Sequence, residues 1–445
     1  MTVTHRVPAS PPAGSNPVRR GIEDAGHVRL ALSILTALFA VRVGLQLVQG
    51  LVHLSAVPAF AAWDSGLVPY PWLLGAQVLL IRTVDGRARP RRGLALAILG
   101  GVYFIGMLAR AVIGIAGLSD HAWFQAPLAT SFHLVLAGFL IVLGMHWRRA
   151  GAATSPAVSD VARWLLYPLT LVGAAALFAW SSRTGLPVMF AAYHAAMLGI
   201  AVIVIAEQLL PYRSVWRPGR AEAATDALYL LTVQMALPAL LSLGLASLLL
   251  GLDLPEAALW PHSWPVAAQV LLMLLTADFA RYWLHRACHA WPVLWRLHAV
   301  HHAPERLHAL NVCRFHPLEK TLQFTLDALP FVLLGVAEPV VAGYFVVYAV
   351  NGFFQHSNAD VRLGWLNWIV AGPELHRWHH AREPRLSDHN FGNNLIVWDA
   401  VFGTRWLPRG RGVDALGLVN RAYPRGLLAQ LAAPFRIDPN RTEVT

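Results

Sequence analysis

Charged side chains are scarce in this sequence. Of its 445 residues, only 13% are Asp, Glu, Lys or Arg, about half the usual share of a soluble domain, while 56% are apolar. The mean hydropathy is +0.49. One water-soluble core cannot bury so much apolar surface, so the composition excludes an ordinary soluble protein and indicates a membrane protein.

Lysine and cysteine are also nearly absent. Lys320 is the single lysine among 35 basic residues. The arginines form short clusters between apolar runs, which argues against nucleic-acid binding and favours anchoring at an anionic membrane surface. Cys288 and Cys313 make no disulfide framework. Residues 1–25 contain no apolar core, so we interpret them as a disordered cytoplasmic tail and not as a cleavable signal peptide.

Long apolar runs, by contrast, are frequent in this sequence. A run of about 20 residues can cross a bilayer as a helix. Eight runs meet that length: 29–51, 66–84, 93–117, 127–146, 163–182, 186–211, 227–252 and 264–284. The arginine-rich loops, such as 82–92, all fall on one side of the membrane if the N-terminus is cytoplasmic. The sequence therefore predicts an all-α, polytopic transmembrane protein.

The pattern changes after the eighth run. Residues 285–320 are polar, and an apolar pair follows, 321–336 and 340–355, which predicts a hairpin that dips into the membrane and returns. Residues 356–408 are polar and rich in tryptophan, which suits a cytoplasmic histidine-rich cap. The predicted regions are a tail (1–25), an N-terminal transmembrane region of unknown role (26–214), a catalytic domain (215–408) and a C-terminal tail (409–445).

Histidine is concentrated in one part of the chain, since 12 of the 20 histidines lie between His285 and His389. Nine of these twelve recur in short groups with spacings of three or four residues. They are His285 and His289; His298, His301 and His302; His356; and His376, His379 and His380.

This spacing has a chemical consequence. Residues three and four apart share one face of a helix, so each group directs its imidazoles to one place. Neutral imidazole is a good ligand for iron, zinc or copper. Eight or nine nitrogen donors exceed what one tetrahedral zinc uses, so the groups predict two metal ions with open positions.

The order of these motifs resembles that of the fatty acid hydroxylase/sterol desaturase superfamily. HxxxH is followed by HxxHH and by a second HxxHH, between membrane segments. The resemblance covers about residues 215–408. It includes the lead-in Asp278-Phe-Ala-Arg-Tyr-Trp-Leu-His, the stretch Asn311…Arg314-Phe-His-Pro-Leu-Glu319, and the closing Asp388-His-Asn-Phe-Gly392 and Trp398-Asp…Phe402-Gly-Thr404.

Membership in this family implies two iron ions, dioxygen as co-substrate, a lipid substrate and electrons from a separate donor. Eight histidines match the family's ligands, and His356 resembles a further one. His316 is either a ligand or a partner of one, while His308 and His389 are expected at the rim. Asp278, Asp388 and Asp399 are each expected either to accept a hydrogen bond from a ligand imidazole or to act as a cap or arginine partner.

The resemblance implies oxygen-dependent hydroxylation, or desaturation, of a lipid such as a fatty acyl chain, sterol or ether lipid. Two alternatives stay open: a histidine-rich membrane protein for metal transport or storage, and a membrane zinc hydrolase. In the N-terminal region, His133 and His194 lie within apolar runs. They are either haem ligands of an electron-transfer module or imidazoles that hydrogen-bond to a neighbouring helix.

Overall fold

The computed structural model describes residues 17–52, 58–59, 63, 90–148, 156–249 and 259–441. These residues are helical or irregular, and the only sheet-like pairings among them are three isolated bridges. The all-α prediction is therefore confirmed for the described part of the chain. The predicted run 66–84 and most of the basic loop 82–92 lie outside it.

The described part of the N-terminal region contains five long helices. They are α1 (Pro17–Leu51), α2 (Pro90–Ala116), α3 (Pro127–Arg148), α4 (Pro156–Arg183) and α5 (Val188–Leu209). The first four begin at proline, which fits the first helical turn because its missing N–H has no acceptor to satisfy there. Helix α1 packs on α3 and α5, and α2 packs along α3.

The second region has both long and short helices. The longer ones are α6 (Arg220–Tyr229), continued by a π-helical turn (Leu230–Ala236) and α7 (Leu237–Leu249), then α8 (Val266–Ala290), α9 (Pro292–His302), α10 (Pro317–Leu333) and α11 (Glu338–His356). The shorter ones are α12 (Pro373–His379), α13 (Pro384–Ser387), α14 (Val397–Val401) and α15 (Leu427–Ala432).

Among the described residues, six helical segments are long and apolar enough to cross a membrane. They are Leu30–Gln49, Arg92–Ala116, Pro127–Trp147, Asp160–Arg183, Val188–Leu209 and Arg220–Leu248. Much of their apolar surface faces outward, with side chains such as Ile105 and Leu243 more than 60% exposed. Such exposure is stable in lipid and not in water. The chain is a multi-pass membrane protein.

The eighth predicted run, 264–284, forms helix α8 but is not among those six segments. The last turns of α8 carry Asp278, Arg281 and His285. These polar residues lower the hydropathy of the helix toward its C-terminal end. The predicted apolar pair is two helices, α10 and α11, separated by a short turn in which Gly335 has a φ of +65°. A positive φ is easily adopted by glycine, which lets the chain turn there.

One hydrophobic core joins the two regions. Side chains of α4 and α5 pack against α11 and the segment 309–315. Within this core the Tyr167 hydroxyl donates to Asn351 Oδ1 at 2.6 Å. Because α11 ends at His356, the N-terminal helices hold one wall of the histidine-rich region. The predicted domain boundaries stay a prediction.

Candidate metal centre

The nine histidines lie at the ends of four helices. His285 and His289 occupy the last turns of α8, and the second group lies in the last turns of α9. His356 is the last residue of α11, and the final group belongs to α12 and the residue after it. The packing of these four helices therefore brings imidazoles that are far apart in sequence to one place.

The structure gathers these nine side chains into two adjacent groups. The first contains five histidines: His285, His289, His298, His302 and His379. The second contains four: His301, His356, His376 and His380. In each group the potential ligand nitrogens lie within 4.8 Å of one another. The rings of His302 and His380 stack with centroids 4.3 Å apart, so the two groups touch.

Six of the imidazoles are held from outside by oxygen acceptors at Nδ1. The acceptors are Phe391 O for His285 (2.7 Å), Asp388 Oδ1 for His289 (2.9 Å), Glu319 Oε1 for His298 (2.8 Å), Arg314 O for His301 (3.2 Å), Asn311 Oδ1 for His356 (2.8 Å) and His389 O for His379 (2.9 Å). A carbonyl or carboxylate oxygen only accepts, so each Nδ1 carries the proton. Each Nε2 then presents a lone pair to the interior of the group.

These inward nitrogens are close together. His285 Nε2 lies 3.0 Å from His298 Nε2 in the first group, and His301 Nε2 lies 3.2 Å from His356 Nε2 in the second. All four of these rings have their protons at Nδ1, so no hydrogen bond relieves the repulsion between the facing lone pairs. A cation in each group would relieve it. The residues therefore fit a pair of metal ions.

Burial favours the neutral, ligating form of these rings. It lowers the pKa of His301 to about 3. Burial and neighbouring imidazoles also hold the pKa values of His302 and His380 well below the usual range. The imidazoles therefore stay uncharged at neutral pH. An all-nitrogen donor set of this kind suits iron, zinc or copper and disfavours magnesium or calcium.

Several supporting residues went unnoticed in the sequence. Oε1 of the buried Glu319 carboxyl group accepts from His298 and also from Gln323 Nε2 (2.8 Å). Burial raises the pKa of Glu319 to about 8, and a proton carried on the other oxygen, Oε2, leaves Oε1 an acceptor. The Asn311 amide is oriented by a bond from its Nδ2 to Arg306 O (2.7 Å), which leaves its oxygen for His356. The HPLE motif could have indicated a role for Glu319, because this carboxyl group follows a histidine within a polar stretch.

A buried ion pair supports the second group from further away. Asp226, in α6, pairs with Arg314 Nε and with His308 Nε2, the latter at 3.0 Å. The carbonyl of Arg314 is the acceptor for His301 Nδ1. Asp226 therefore fixes the backbone that orients one histidine. No local sequence signal could have found this contact, since the two partners are 88 residues apart.

Four further residues that the sequence predicts to act at the site, Asp278, His316, Asp388 and His389, differ in where the structure places them. Asp388 contacts the first group directly through His289. His389 contributes its backbone carbonyl to His379, while its ring packs on Trp406. Asp278 accepts from the backbone of Asn394 and Leu395, and not from a histidine.

His316 lies outside both groups. It caps α10 by accepting from Leu318 N, and its Nε2 faces the carbonyl of Leu431. Asp399 also bonds no histidine ring, but it accepts from Phe391 N and Gly392 N. Since Phe391 O binds His285, Asp399 supports the same loop that holds that ring.

These features define a class, a multi-pass helical membrane protein whose cap carries two adjacent histidine groups suited to metal ions. The family model for fatty acid hydroxylase matches residues 270–404, which contain all nine histidines. An ornithine lipid hydroxylase from Rhizobium tropici is 34% identical over 242 residues, covering 53% of this chain and 73% of the relative. The chain belongs to the fatty acid hydroxylase/sterol desaturase superfamily.

Other relatives match a shorter part of the chain. Alkylglycerol monooxygenase from Xenopus tropicalis is 32% identical over 133 residues, 30% of this chain and 29% of the relative. The human alkylglycerol monooxygenase is 31% identical over 132 residues, again 29% of its length. The chain thus spans less than a third of these monooxygenases. No solved structure matches it significantly.

Proposed function

We propose that this protein is a membrane enzyme that uses two iron ions and dioxygen to hydroxylate a lipid. The observation that carries the proposal is the pair of histidine groups, in which six of the nine rings have an oxygen acceptor at Nδ1 and therefore carry their protons outward and their lone pairs inward. The superfamily relatives, named as lipid hydroxylases and monooxygenases, support the same reaction class. Iron bound there would supply the oxidising power that side chains lack for attack on an unactivated C–H bond.

The protein's own residues have three tasks in this proposal. The nine histidines hold the metal ions, as the first group around His302 and the second around His376. The outer oxygen acceptors, among them Asp388 and Glu319, fix the direction of each ring. The buried, apolar surroundings keep bulk water from the reacting centre.

The proposal also covers orientation, electron donor and substrate class. The cap lies on the cytoplasmic side in this proposal, which the arginine-rich loops support by the positive-inside rule. Electrons would come from a separate donor, as the family resemblance implies. A polar membrane lipid is the favoured substrate class, because the relative from Rhizobium tropici is named for ornithine lipid.

Desaturation is the second candidate outcome of the same chemistry. A zinc hydrolase needs three or four ligands, so it leaves at least five of the nine gathered histidines without a task. A transport or storage protein needs ionisable residues along the membrane segments. Ionisable side chains in these segments instead bond other groups of the protein, as Arg42 does with Trp63 O, Glu207 with Asn358 N and His194 with Ser131.

The test is oxygen transfer from labelled dioxygen. The full chain, purified in detergent and loaded with ferrous iron, is supplied with a reductant, ¹⁸O₂ and total membrane lipids, and the products are analysed by mass spectrometry. We expect one labelled oxygen atom in a lipid product, absent with His376→Ala. A lipid product that lacks two hydrogens and carries no label would indicate desaturation, and no oxygen-dependent product would overturn the proposal.

A further inference from the structure

A cavity of about 160 Å³ lies directly against the first histidine group. It has room for several water molecules or a small polar group. The rings of His289 and His302 form part of its wall, and the remaining lining comes from Trp295 and from residues within 381–388, 417–419 and 440. None of these lining residues belongs to the six candidate membrane segments.

The lining carries charges of both signs. Arg382 and Asp388 line the cavity together with the Asn440 amide. Asp388 accepts from His289, and its side chain is 53% exposed. Apolar surface comes from Trp295 and from Leu418 and Val419.

Two buried nitrogens at this cavity lack partners. Arg382 Nη2 donates to Leu416 O at 3.1 Å, but its buried Nε has no hydrogen-bond partner among the described residues. His289 Nε2 is buried and equally without one in the described structure. A buried polar group is normally satisfied, so the Arg382 N–H is available to an acceptor that enters the cavity, either a water molecule or an anionic group of a ligand. The His289 nitrogen is accounted for by a metal ion.

Lipid geometry connects this cavity with the substrate. The polar end of a lipid cannot enter the hydrocarbon core, while the reacting carbon must reach the histidine groups in the cap. The polar end of such a substrate therefore needs a polar site in the cap. The cavity contacts two of the gathered histidines and offers one cationic and one anionic side chain.

We infer that this cavity binds a small dipolar head group, with its anionic part at Arg382 and its cationic part at Asp388. The inference rests on the proposed function, because it names the lipid class that the same centre would oxidise. A neutral alcohol or a bare hydrocarbon end would form an ion pair with neither side chain, and would leave Arg382 with its bond to Leu416 O and Asp388 with its bond from His289. The cavity thus discriminates by charge as well as by size.

The experiment measures binding without turnover. The full chain in detergent, loaded with ferrous iron under nitrogen, is titrated with Nα-palmitoyl-lysine, which carries a carboxylate and an ammonium, and in parallel with hexadecanol. Hydrogen bonds to charged groups contribute enough that we expect about tenfold tighter binding of the dipolar lipid. Arg382→Gln should reduce that preference to less than about threefold.

Two further variants sharpen the test. Arg385→Gln is the matched control, because Arg385 is an exposed arginine of the same segment that does not line the cavity, and it should bind like wild type. Val419→Phe should fill the cavity and remove the preference without changing any charge. Melting temperature and iron content check that each variant is folded and loaded.

The inference is overturned if wild type binds both lipids equally, or if Arg382→Gln keeps the full preference. Because no oxygen is present, this result is independent of whether the protein hydroxylates anything. A dipolar preference without any labelled product in the oxygen experiment would remove the proposed function and leave the binding site. A labelled product without the dipolar preference would support the proposed function and remove the binding site.

Discussion

Histidines buried in the two regions of this protein have different kinds of partner. In the N-terminal helices, His133 Nδ1 pairs with the Tyr103 hydroxyl (2.5 Å) and His194 Nε2 with the Ser131 hydroxyl (2.8 Å). A hydroxyl donates or accepts, so it leaves the position of the ring proton open. In the cap, the partners at Nδ1 only accept, which leaves Nε2 free for a metal ion.

This difference separates structural from functional histidines better than burial does. Both N-terminal rings are partly buried in the membrane region, and each forms a hydrogen bond with one hydroxyl group. In the described structure neither belongs to a group of metal-competent side chains. The cap is distinguished by nine converging rings, six of which are fixed by an oxygen acceptor at Nδ1.

The largest expected effect is the loss of activity on substitution of His302, the ring of the first group that stacks on His380 of the second. His302 Nε2 lies 3.1 Å from both His298 Nε2 and His379 Nε2. His302→Ala should lower lipid hydroxylation at least about 100-fold, since loss of even an outer partner of a ligand costs 10–100-fold. His133→Ala is the control and should stay within about twofold of wild type. Equal losses in both variants would remove the distinction between the regions.

The next prediction concerns the buried ion pair behind the second group. Asp226→Ala leaves Arg314 buried without its carboxylate, which costs about 3–5 kcal/mol. Unfolding in mixed detergent and SDS should show that loss in the free energy of unfolding. Asp160→Ala removes a carboxylate that is 56% exposed and should cost less than about 1 kcal/mol. A similar cost for both variants would contradict the role given to Asp226.

A smaller change is expected at the outer partner of His298. Glu319→Ala removes the oxygen that fixes this ring and should weaken metal binding about 10–100-fold. Competition with a chelator measures the affinity. Glu338→Ala, an exposed carboxylate at the start of α11, should leave it unchanged. Unaltered affinity in Glu319→Ala would show that the ring is held by packing alone.

The smallest effect should come from the N-terminal region. Ser131→Ala removes the hydrogen bond to His194 and should cost about 0.6 kcal/mol in unfolding free energy, the average for such bonds in membranes. Iron content should not change. A loss of iron in Ser131→Ala would mean that the N-terminal helices take part in metal binding.

Sequence periodicity and spacing predicted much of this molecule. The helical class and the grouping of the nine histidines followed from apolar run length and from three- and four-residue spacing, which are local properties. Helix α8 was harder to classify as a membrane segment from the sequence, because polar residues such as Asp278 lie within its apolar run. The resemblance of the motifs to a known family then indicated the reaction class.

The supporting contacts could not be predicted. Asp226 reaches Arg314 across 88 positions, and Tyr167 reaches Asn351 across 184, so both depend on how the helices pack. His316 shares the polar stretch with the gathered rings, yet it caps α10 outside them, since the backbone turns at Pro317. The cavity is likewise made by loops distant in sequence.

Metal content tests the central claim most directly. Wild type, His379→Ala and His133→Ala are purified in detergent, reconstituted with iron and analysed by mass spectrometry of the metals. The two histidine groups predict about two irons per chain in wild type and in His133→Ala, and a clear loss in His379→Ala. One zinc or no metal in wild type, unchanged by His379→Ala after iron reconstitution, would contradict the account.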